Sequence, residues 1–184
     1  MSQQRILIAG IGNIFLGDDA FGVEVVQRLA ARPLPDGVRV VDFGIRGFDL
    51  AYALLDDYDL AILVDALPRG QAPGTLYVLE PDLAALDPAA AVAVDAHTID
   101  PVQMLCLVKA MDGQPRRVLV LGCEPATIDP DDEGALGLSA PVQAAVDEAI
   151  EMVEALIARA LSDPSGPARV SETPVAPSVA GESQ

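Results

Sequence analysis

Three acidic side chains and the single histidine of this chain stand where a metal or acid–base site could form. Asp18 and Asp19 close a glycine-rich turn, Gly-Ile-Gly-Asn-Ile-Phe-Leu-Gly at positions 10–17, where a helix should begin. Asp65 ends the apolar run Ile-Leu-Val-Asp, and His97 precedes another helical pattern. Two carboxylates and an imidazole suit a borderline divalent cation such as nickel or zinc, with positions left open for substrate or water.

Each of these residues also has an ordinary structural role. Asp18 or Asp19 can cap a helix, and Asp18 is the stronger candidate. Asp65 can belong to the turn at a strand end, and His97 can lie on a surface loop. A shared site therefore requires that the fold brings these residues together.

The glycine-rich turn matches a dinucleotide-binding loop only in part. Such a loop needs a third glycine and a helix N-terminus that is free to receive a pyrophosphate. Phe15 occupies the third-glycine position, and Asp18 and Asp19 place negative charge where the phosphates would lie. The sequence therefore predicts a cation site and no nucleotide cofactor.

Apolar, β-branched runs alternate with helical patterns along the chain, which predicts βαβ units and a mainly parallel sheet. The predicted strands are 5–9, 38–42, 60–65 and 118–122, with an edge strand at 75–79. The four long runs are apolar almost throughout, as expected for strands that helices cover on both faces.

Four helices are predicted between the strands and after them. They run from residue 18 or 19 to 31, over 48–55 and 101–111, and from about 139 to 161. In the first helix, Phe21, Val25 and Leu29 recur every four residues and should face the sheet. Asp100 is the predicted N-cap of the third helix, with Pro101 in its first turn.

We therefore predict a three-layer α/β fold with a mainly parallel five-stranded sheet, helices on both faces and one antiparallel edge strand. Right-handed crossovers favour the order 2-1-3, which places the carboxyl ends of strands one and three beside one crevice. Asp19 and Asp65 should meet there, and the loop that carries His97 returns to the same edge. A single domain over 1–161 and a disordered tail over 162–184, which lacks Leu, Ile and aromatic residues, are expected.

Composition restricts the partners and the compartment. With 28 acidic and 11 basic residues among 184, the net charge of −17 disfavours nucleic acid and anionic membranes. Cys106 and Cys123 lie far apart, which indicates neither a disulfide framework nor a cysteine zinc site, and Cys123 is either a thiol near the crevice or core packing. Neither a signal-peptide pattern nor a run of about 18 apolar residues is present, so we expect a cytoplasmic protein.

The order of these motifs resembles that of the nickel-iron hydrogenase maturation endopeptidases. The similarity rests on the motif Gly-Ile-Gly-Asn-Ile-Phe-Leu-Gly-Asp-Asp-Ala-Phe-Gly, on the later Val-Asp-Ala and on one histidine before a helix, and it covers residues 5 to about 160. It implies an enzyme that removes a short C-terminal extension from the hydrogenase large-subunit precursor once nickel is inserted. It also implies that Asp19, Asp65 and His97 contact the metal and take part in catalysis.

Two positions depart from the family pattern. Position 19 is Asp, whereas some family members carry Glu, so the reach of that ligand is shorter. After the second strand, Asp-Phe-Gly-Ile-Arg-Gly replaces an Asp-Gly-Gly-Thr type of sequence and places Arg46 at the sheet edge. Arg46 either orients a substrate carbonyl or carboxylate or pairs with Asp42 or Asp49. The candidate substrate contacts are Gly10, Gly12, Asn13, Asp42 and Arg46.

Three functions fit these observations. The leading hypothesis is a peptidase that recognises the nickel held by the precursor, without a requirement for a permanently bound metal. Hydrolysis would use a metal-polarised carbonyl, a metal-activated water or a carboxylate as general base. The alternatives are a non-catalytic, nickel-dependent chaperone for the large subunit and an unrelated metal-dependent hydrolase that binds its own metal tightly.

Overall fold

An open five-stranded sheet with helices on both faces forms the frame of the molecule. The structure is a computed structural model, and it describes residues 4–93, 100–128 and 136–163. In these ranges the strands are β1 (Ile6–Ile11), β2 (Val38–Gly44), β3 (Leu60–Ala66), β4 (Leu76–Leu79) and β5 (Val118–Cys123). The α-helices are α1 (Phe21–Ala30), α2 (Gly47–Ala53), α3 (Pro101–Ala110) and α4 (Ala140–Ser162), and short 3-10 helices cover Gly17–Ala20 and Pro88–Ala93.

The sheet has the order β2-β1-β3-β5-β4. β1 pairs in parallel with β2 and β3, β3 pairs in parallel with β5, and β4 runs antiparallel to β5 at the edge. This confirms the predicted fold class, the order 2-1-3 and the antiparallel edge strand. Because the chain turns to opposite sides of β1, the carboxyl ends of β1 and β3 flank a switch point, the place where open α/β sheets bind ligands.

The alternation of side chains along β1 explains why its sequence is apolar throughout. Ile6 and Ile8 pack into the cluster that includes α1 and α4, whereas Leu7 and Ala9 pack into the cluster that includes α2 and α3. Successive side chains of a strand point to opposite faces, so a strand covered on both faces has no solvent-facing position.

α1 begins later than the sequence predicts. The 3-10 helix Gly17–Ala20 comes first, and α1 starts at Phe21. Of the two roles left open for Asp18 and Asp19, the helix cap does not apply, because neither side chain bonds the N-terminal N–H groups of its own helix. The expected apolar stripe is fully buried and consists of Phe21, Val25 and Leu29.

The N-cap of α3 agrees with the sequence. The Asp100 carboxylate accepts hydrogen bonds from the backbone N–H groups of Val102 and Gln103 at 2.7 Å and 3.2 Å. Pro101 occupies the first turn, where its missing N–H is not needed. The start of α3 is therefore fixed at the carboxyl edge of the sheet.

Some predicted features lie beyond the part of the chain that can be described. His97 falls in the gap 94–99, and the predicted tail falls almost wholly in 164–184. The division into a domain over 1–161 and a tail over 162–184 therefore stays a prediction. Within the three described ranges, no helix combines the length and apolarity needed to cross a membrane.

Gly22 allows α1 to lie directly against the sheet beside the switch point. A Cβ atom at Gly22 would lie 2.1 Å from the carbonyl oxygen of Val64 and 2.3 Å from that of Ile11. Gly10 provides the matching space on β1, where a Cβ would lie 2.5 Å from the carbonyl oxygen of Gly22. This close packing fixes the height of the β1–α1 turn above the sheet.

We expect Gly22→Ala to destabilise the protein, although alanine is the better helix former by about 1 kcal/mol. The added methyl group must push α1 away from two carbonyl oxygens, and such overpacking costs about 1–3 kcal/mol. Chemical denaturation measures the change in the free energy of unfolding. The difference in stability between Gln27→Ala and Gln27→Gly, at an exposed position of α1, gives the effect of helix propensity alone. A Gly22→Ala variant as stable as wild type would contradict the packing role of Gly22.

Candidate functional site

A cavity of about 430 Å³ lies at the carboxyl edge of the sheet, above β1 and β3. Five segments of the described chain line it: the β1–α1 loop, the β2–α2 loop, the end of β3 with the residues that follow it, the start of α3, and Ile128 after β5. Asp19, Asp65 and Asp100 contribute acidic groups to this lining, which is otherwise mainly apolar. The fold thus brings together the two aspartates that the sequence predicted to converge.

The β1–α1 turn is built so that the side chain of Asp19 reaches the cavity. Gly12 has φ +135°, and a Cβ atom there would lie 1.8 Å from the backbone oxygen of Asp19, so only glycine fits. The N–H of Asn13 donates a 2.6 Å hydrogen bond to Oδ2 of Asp19, and the Asn13 side chain accepts one from Phe15. The glycine-rich turn therefore positions a carboxylate.

Asp65 reaches the same cavity from the end of β3. It is the last residue but one of the strand and is only 5% exposed. Its Oδ1 accepts a 2.8 Å hydrogen bond from the N–H of Ala66. No basic side chain in the described ranges forms an ion pair with Asp65 or Asp19.

Burial and mutual repulsion disfavour negative charge in the cavity. Burial raises the pKa of Asp65 well above its ordinary value of 3.8, and the charge of Asp19 raises it further. The Ala66 N–H lowers the pKa of Asp65, while the charge of Asp100 raises it. Burial also raises the pKa of Asp19, against the lowering effect of the Asn13 N–H. A cation bound between these carboxylates would relieve both the repulsion and the loss of hydration.

The third predicted ligand, His97, lies outside the described residues. Among those that are described, no group of three or more His, Cys, Asp or Glu side chains is arranged to hold a metal ion. Asp100 lines the cavity but also caps α3. The described residues thus bring the carboxylates of Asp19 and Asp65 to one cavity, and the predicted role of His97 stays a prediction.

Asp18 has a different function from its neighbour. It is 1% exposed, and its carboxylate accepts hydrogen bonds from the N–H of Ala126 at 2.7 Å and from the N–H and hydroxyl of Ser139 at 2.6 Å and 2.9 Å. Ser139 is the N-cap residue of α4. Asp18 therefore ties the β1–α1 turn to the loop after β5 and to the start of α4, a role set by residues more than 100 positions away.

The candidate substrate contacts separate into two groups. Gly12 lines the cavity, and Asn13 holds the carboxylate that faces it. Gly10 is buried beneath α1 and has a packing role there, and its contact with a substrate stays a prediction. The Asp42 carboxylate accepts a hydrogen bond from the Gln27 side chain at 3.0 Å.

Arg46 turns back onto its own loop. Its guanidinium donates to the backbone oxygens of Phe43 and Asp42 and lies 3.7 Å from the carboxylate of Asp49. Both side chains of that pair are more than half exposed, so its contribution to stability is small. The structure thus shows the intramolecular pairing with Asp49, one of the two alternatives that the sequence left open for Arg46.

Two charged residues near the site carry no recognisable sequence motif. Glu124, directly after β5, is buried, and Arg69 lies in the loop after β3. Both follow strand ends at the carboxyl edge, and that position is the only signal in the sequence. Cys123 is core packing, because it is fully buried and burial raises the pKa of its thiol to about 12.

Comparison with known proteins relates the chain to hydrogenase maturation proteases. A family profile described as hydrogenase maturation protease matches residues 23–156, which include Asp65 and His97 but begin after Asp19. A protein of Methanocaldococcus jannaschii, with the provisional name hydrogenase maturation protease, is 36% identical over 83% of this chain and 96% of its own. The hydrogenase 2 maturation protease of Escherichia coli is 30% identical over 83% of this chain and 90% of its own. The solved structure of the hydrogenase maturating endopeptidase HybD from Escherichia coli matches with a TM-score of 0.67 at 31% identity, over 85% of this chain and 94% of that one.

We expect Asp65→Asn to stabilise the protein increasingly as the pH rises. Between the ordinary carboxyl pKa of 3.8 and the raised pKa of folded Asp65, the folded state binds more protons than the unfolded state. The free energy of unfolding therefore falls with rising pH in this window, and the amide removes that dependence. Thermal unfolding across the pH range measures the difference in Tm between Asp65→Asn and wild type. Asp36→Asn, at an exposed position, is the control. A difference in Tm that does not change with pH would argue against the effect.

Replacement by alanine should lower the free energy of unfolding strongly at Asp18 and change it little at Asp19. Asp18→Ala leaves the partly buried N–H groups of Ala126 and Ser139 without their partner, so we expect a loss of about 2–3 kcal/mol. Asp19→Ala removes a poorly hydrated charge and should change stability by less than about 1 kcal/mol. Denaturant unfolding of both variants measures this contrast. Equal losses would show that Asp19 is also a structural anchor.

Proposed function

Because the chain belongs to the family of hydrogenase maturation proteases, we propose that it removes the C-terminal extension of a nickel-iron hydrogenase large-subunit precursor after nickel insertion. The nickel already bound by the precursor is the recognition element. The observation that carries this proposal is the pair of carboxylates that line one cavity without a basic partner in the described ranges, the buried Asp65 and the half-buried Asp19. We expect the reaction to take place in the cytoplasm.

The donor set supports recognition of a borderline divalent cation. Asp19 and Asp65 each use one oxygen to accept a backbone hydrogen bond, and neither accepts another from a described residue. One oxygen of each carboxylate is thus available for a metal. With His97 as the expected nitrogen ligand, the set is incomplete, which leaves positions for ligands that the substrate brings.

The electrostatics of the cavity support a licensing role for nickel. Without a cation, burial and repulsion favour the protonated form of Asp65, as its raised pKa indicates. A divalent ion favours the ionised form, because a metal ligand must be deprotonated. Substrate nickel would therefore switch the site from a self-repelling state to one that binds the precursor, and binding should weaken at low pH.

The surroundings of the cavity favour a protein substrate over a small molecule. Large apolar side chains are exposed on the two loops that line the mouth and on the first turn of α2, namely Ile14, Phe15, Ile45 and Phe48. Exposed apolar side chains grouped in this way are typical of protein interaction sites. This favours the peptidase over a small-molecule hydrolase and is equally compatible with the chaperone alternative.

Hydrolysis breaks the peptide C–N bond, and water supplies the hydroxyl to the carbonyl carbon and the proton to the leaving amine. Asp19 and Asp65 lie where they can hold the metal, and a carboxylate with a raised pKa is also suited to proton transfer near neutral pH. These roles make both residues necessary for turnover, whichever group activates the water.

Incubation of the purified protein with nickel-loaded and nickel-free precursor tests the proposal directly. We expect intact-protein mass spectrometry to show loss of the C-terminal extension from the loaded precursor, and cleavage of the nickel-free form to be slower by at least about 100-fold. Asp19→Asn, Asp65→Asn and His97→Ala should process the loaded precursor at a similarly reduced rate, whereas Asp36→Asn should match wild type.

The alternatives predict different outcomes in the same experiment. A stable, nickel-dependent complex with an unchanged precursor mass would favour the chaperone. Equal cleavage of both precursor forms would remove nickel as the recognition element while leaving the peptidase. Wild-type rates in the Asp19 and Asp65 variants would overturn the assignment of the site.

A further inference from the structure

A second cavity, of about 300 Å³, continues from the carboxylate site toward the edge of the sheet. The two cavities share Leu67, Pro68, Asp100 and Pro101 in their linings, so together they form one groove. Beyond the shared part four of the six lining residues are apolar, and the charged ones are Arg69 and Glu80, which pairs with Arg117. A peptide that extends from Asp65 past the shared residues would therefore reach this arginine.

Arg69 is unusual among the arginines of this acidic chain. Its guanidinium stacks 5.5 Å from the centre of the Tyr77 ring, and within the described ranges it has no hydrogen bond or ion pair. By contrast, Arg32, Arg116 and Arg117 pair with carboxylates. The chain has 28 acidic and 11 basic residues, so a cation that stays unpaired beside a groove is available for an anionic group of a ligand.

Glu124 holds Arg69 in this position. Its buried carboxylate accepts hydrogen bonds from the N–H of Arg69 at 2.7 Å, from the N–H of Gly70 at 3.1 Å and from the hydroxyl of Tyr77 at 2.6 Å. Burial alone would raise the pKa of Glu124, but these hydrogen bonds together lower it and keep the group ionised. One carboxylate thus fixes both the backbone of Arg69 and the aromatic ring beneath its side chain.

The distance along the groove suits a short peptide. Arg69 follows Asp65 by four residues, so their Cα atoms are at most about 14 Å apart, the length of about four extended residues. A mostly apolar groove that reaches an arginine within this limit matches a short apolar peptide segment followed by a carboxylate. Arginine binds carboxylates with two parallel hydrogen bonds, and the flat ring of Tyr77 keeps the guanidinium oriented for this.

We propose that this groove binds the extension that the enzyme removes, and that Arg69 is a specificity-determining residue that pairs with a carboxylate of the extension. The inference rests on the proposed function, because the occupant is the segment downstream of the cleaved bond. The carboxylate is either the C-terminal α-carboxylate of the precursor or an acidic side chain within the extension, and the chemistry of recognition is the same for both.

Steady-state kinetics with nickel-loaded precursor test the proposal. Loss of a charged hydrogen-bond pair should raise KM roughly tenfold in Arg69→Ala with kcat changed by less than about twofold, and Arg69→Lys should recover part of the loss. Arg116→Ala makes the same charge change near the start of β5, at the opposite end of the strand, and should leave KM unchanged. Thermal unfolding of each variant verifies that the fold is intact.

Changes in the substrate locate the carboxylate without altering the enzyme. Two altered precursors are compared: one with an amidated C-terminus, and one with the acidic side chains of its extension changed to amides. We expect one of the two to raise KM for the wild-type enzyme. With that precursor, wild type and Arg69→Ala should have the same KM. An unchanged KM with both substrates, or an Arg69→Ala variant that matches Arg116→Ala, would overturn the role of Arg69. Failure of wild type to cleave any precursor would instead overturn the proposed function.

Discussion

The loss of hydration of two carboxylates that line one cavity, to which their repulsion adds, is the constraint on which the candidate site depends. Asp19 and Asp65 approach from different strands, lose much of their hydration and have no basic partner among the described residues. Such an arrangement lowers stability at neutral pH unless a cation enters, so the fold maintains it at a cost. Residues that are destabilising in isolation often mark sites where a ligand supplies the missing interaction.

The residues around Asp19 and Asp65 hold the loops that line the cavity in place. Gly12 and Gly22 allow backbone contacts that no side chain would permit, which fixes the turn that carries Asp19. Asp18 ties the same turn to the loop after β5 and to the start of α4. On the far side of the groove, Glu124 organises the loop after β3 through backbone hydrogen bonds. Asp18 and Glu124, which accept several hydrogen bonds each, thus flank Asp19 and Asp65, which accept one each from described residues.

The sequence predicts the fold well because the signals for the fold are repeated and local. Apolar runs, helical spacing and the handedness of crossovers are sufficient for the order 2-1-3, for the edge strand and for the convergence of Asp19 with Asp65. They are insufficient where tertiary contacts decide: Asp18 looks like a helix cap but bonds Ala126 and Ser139, which are distant in sequence. Arg69 and Glu124 lie in irregular loops, where no periodicity distinguishes a binding residue from a solvated one.

The central claim is that Asp19 and Asp65 form a place for the nickel of the substrate. The most direct measurement is anomalous diffraction at the nickel absorption edge from crystals of the protein grown with excess nickel ions. The account predicts a peak in the cavity, with one oxygen of each aspartate at about 2.0–2.2 Å, as is usual for carboxylates on such cations, and its disappearance from crystals of Asp65→Asn. An ordered nickel ion elsewhere, with this cavity empty, would contradict the account.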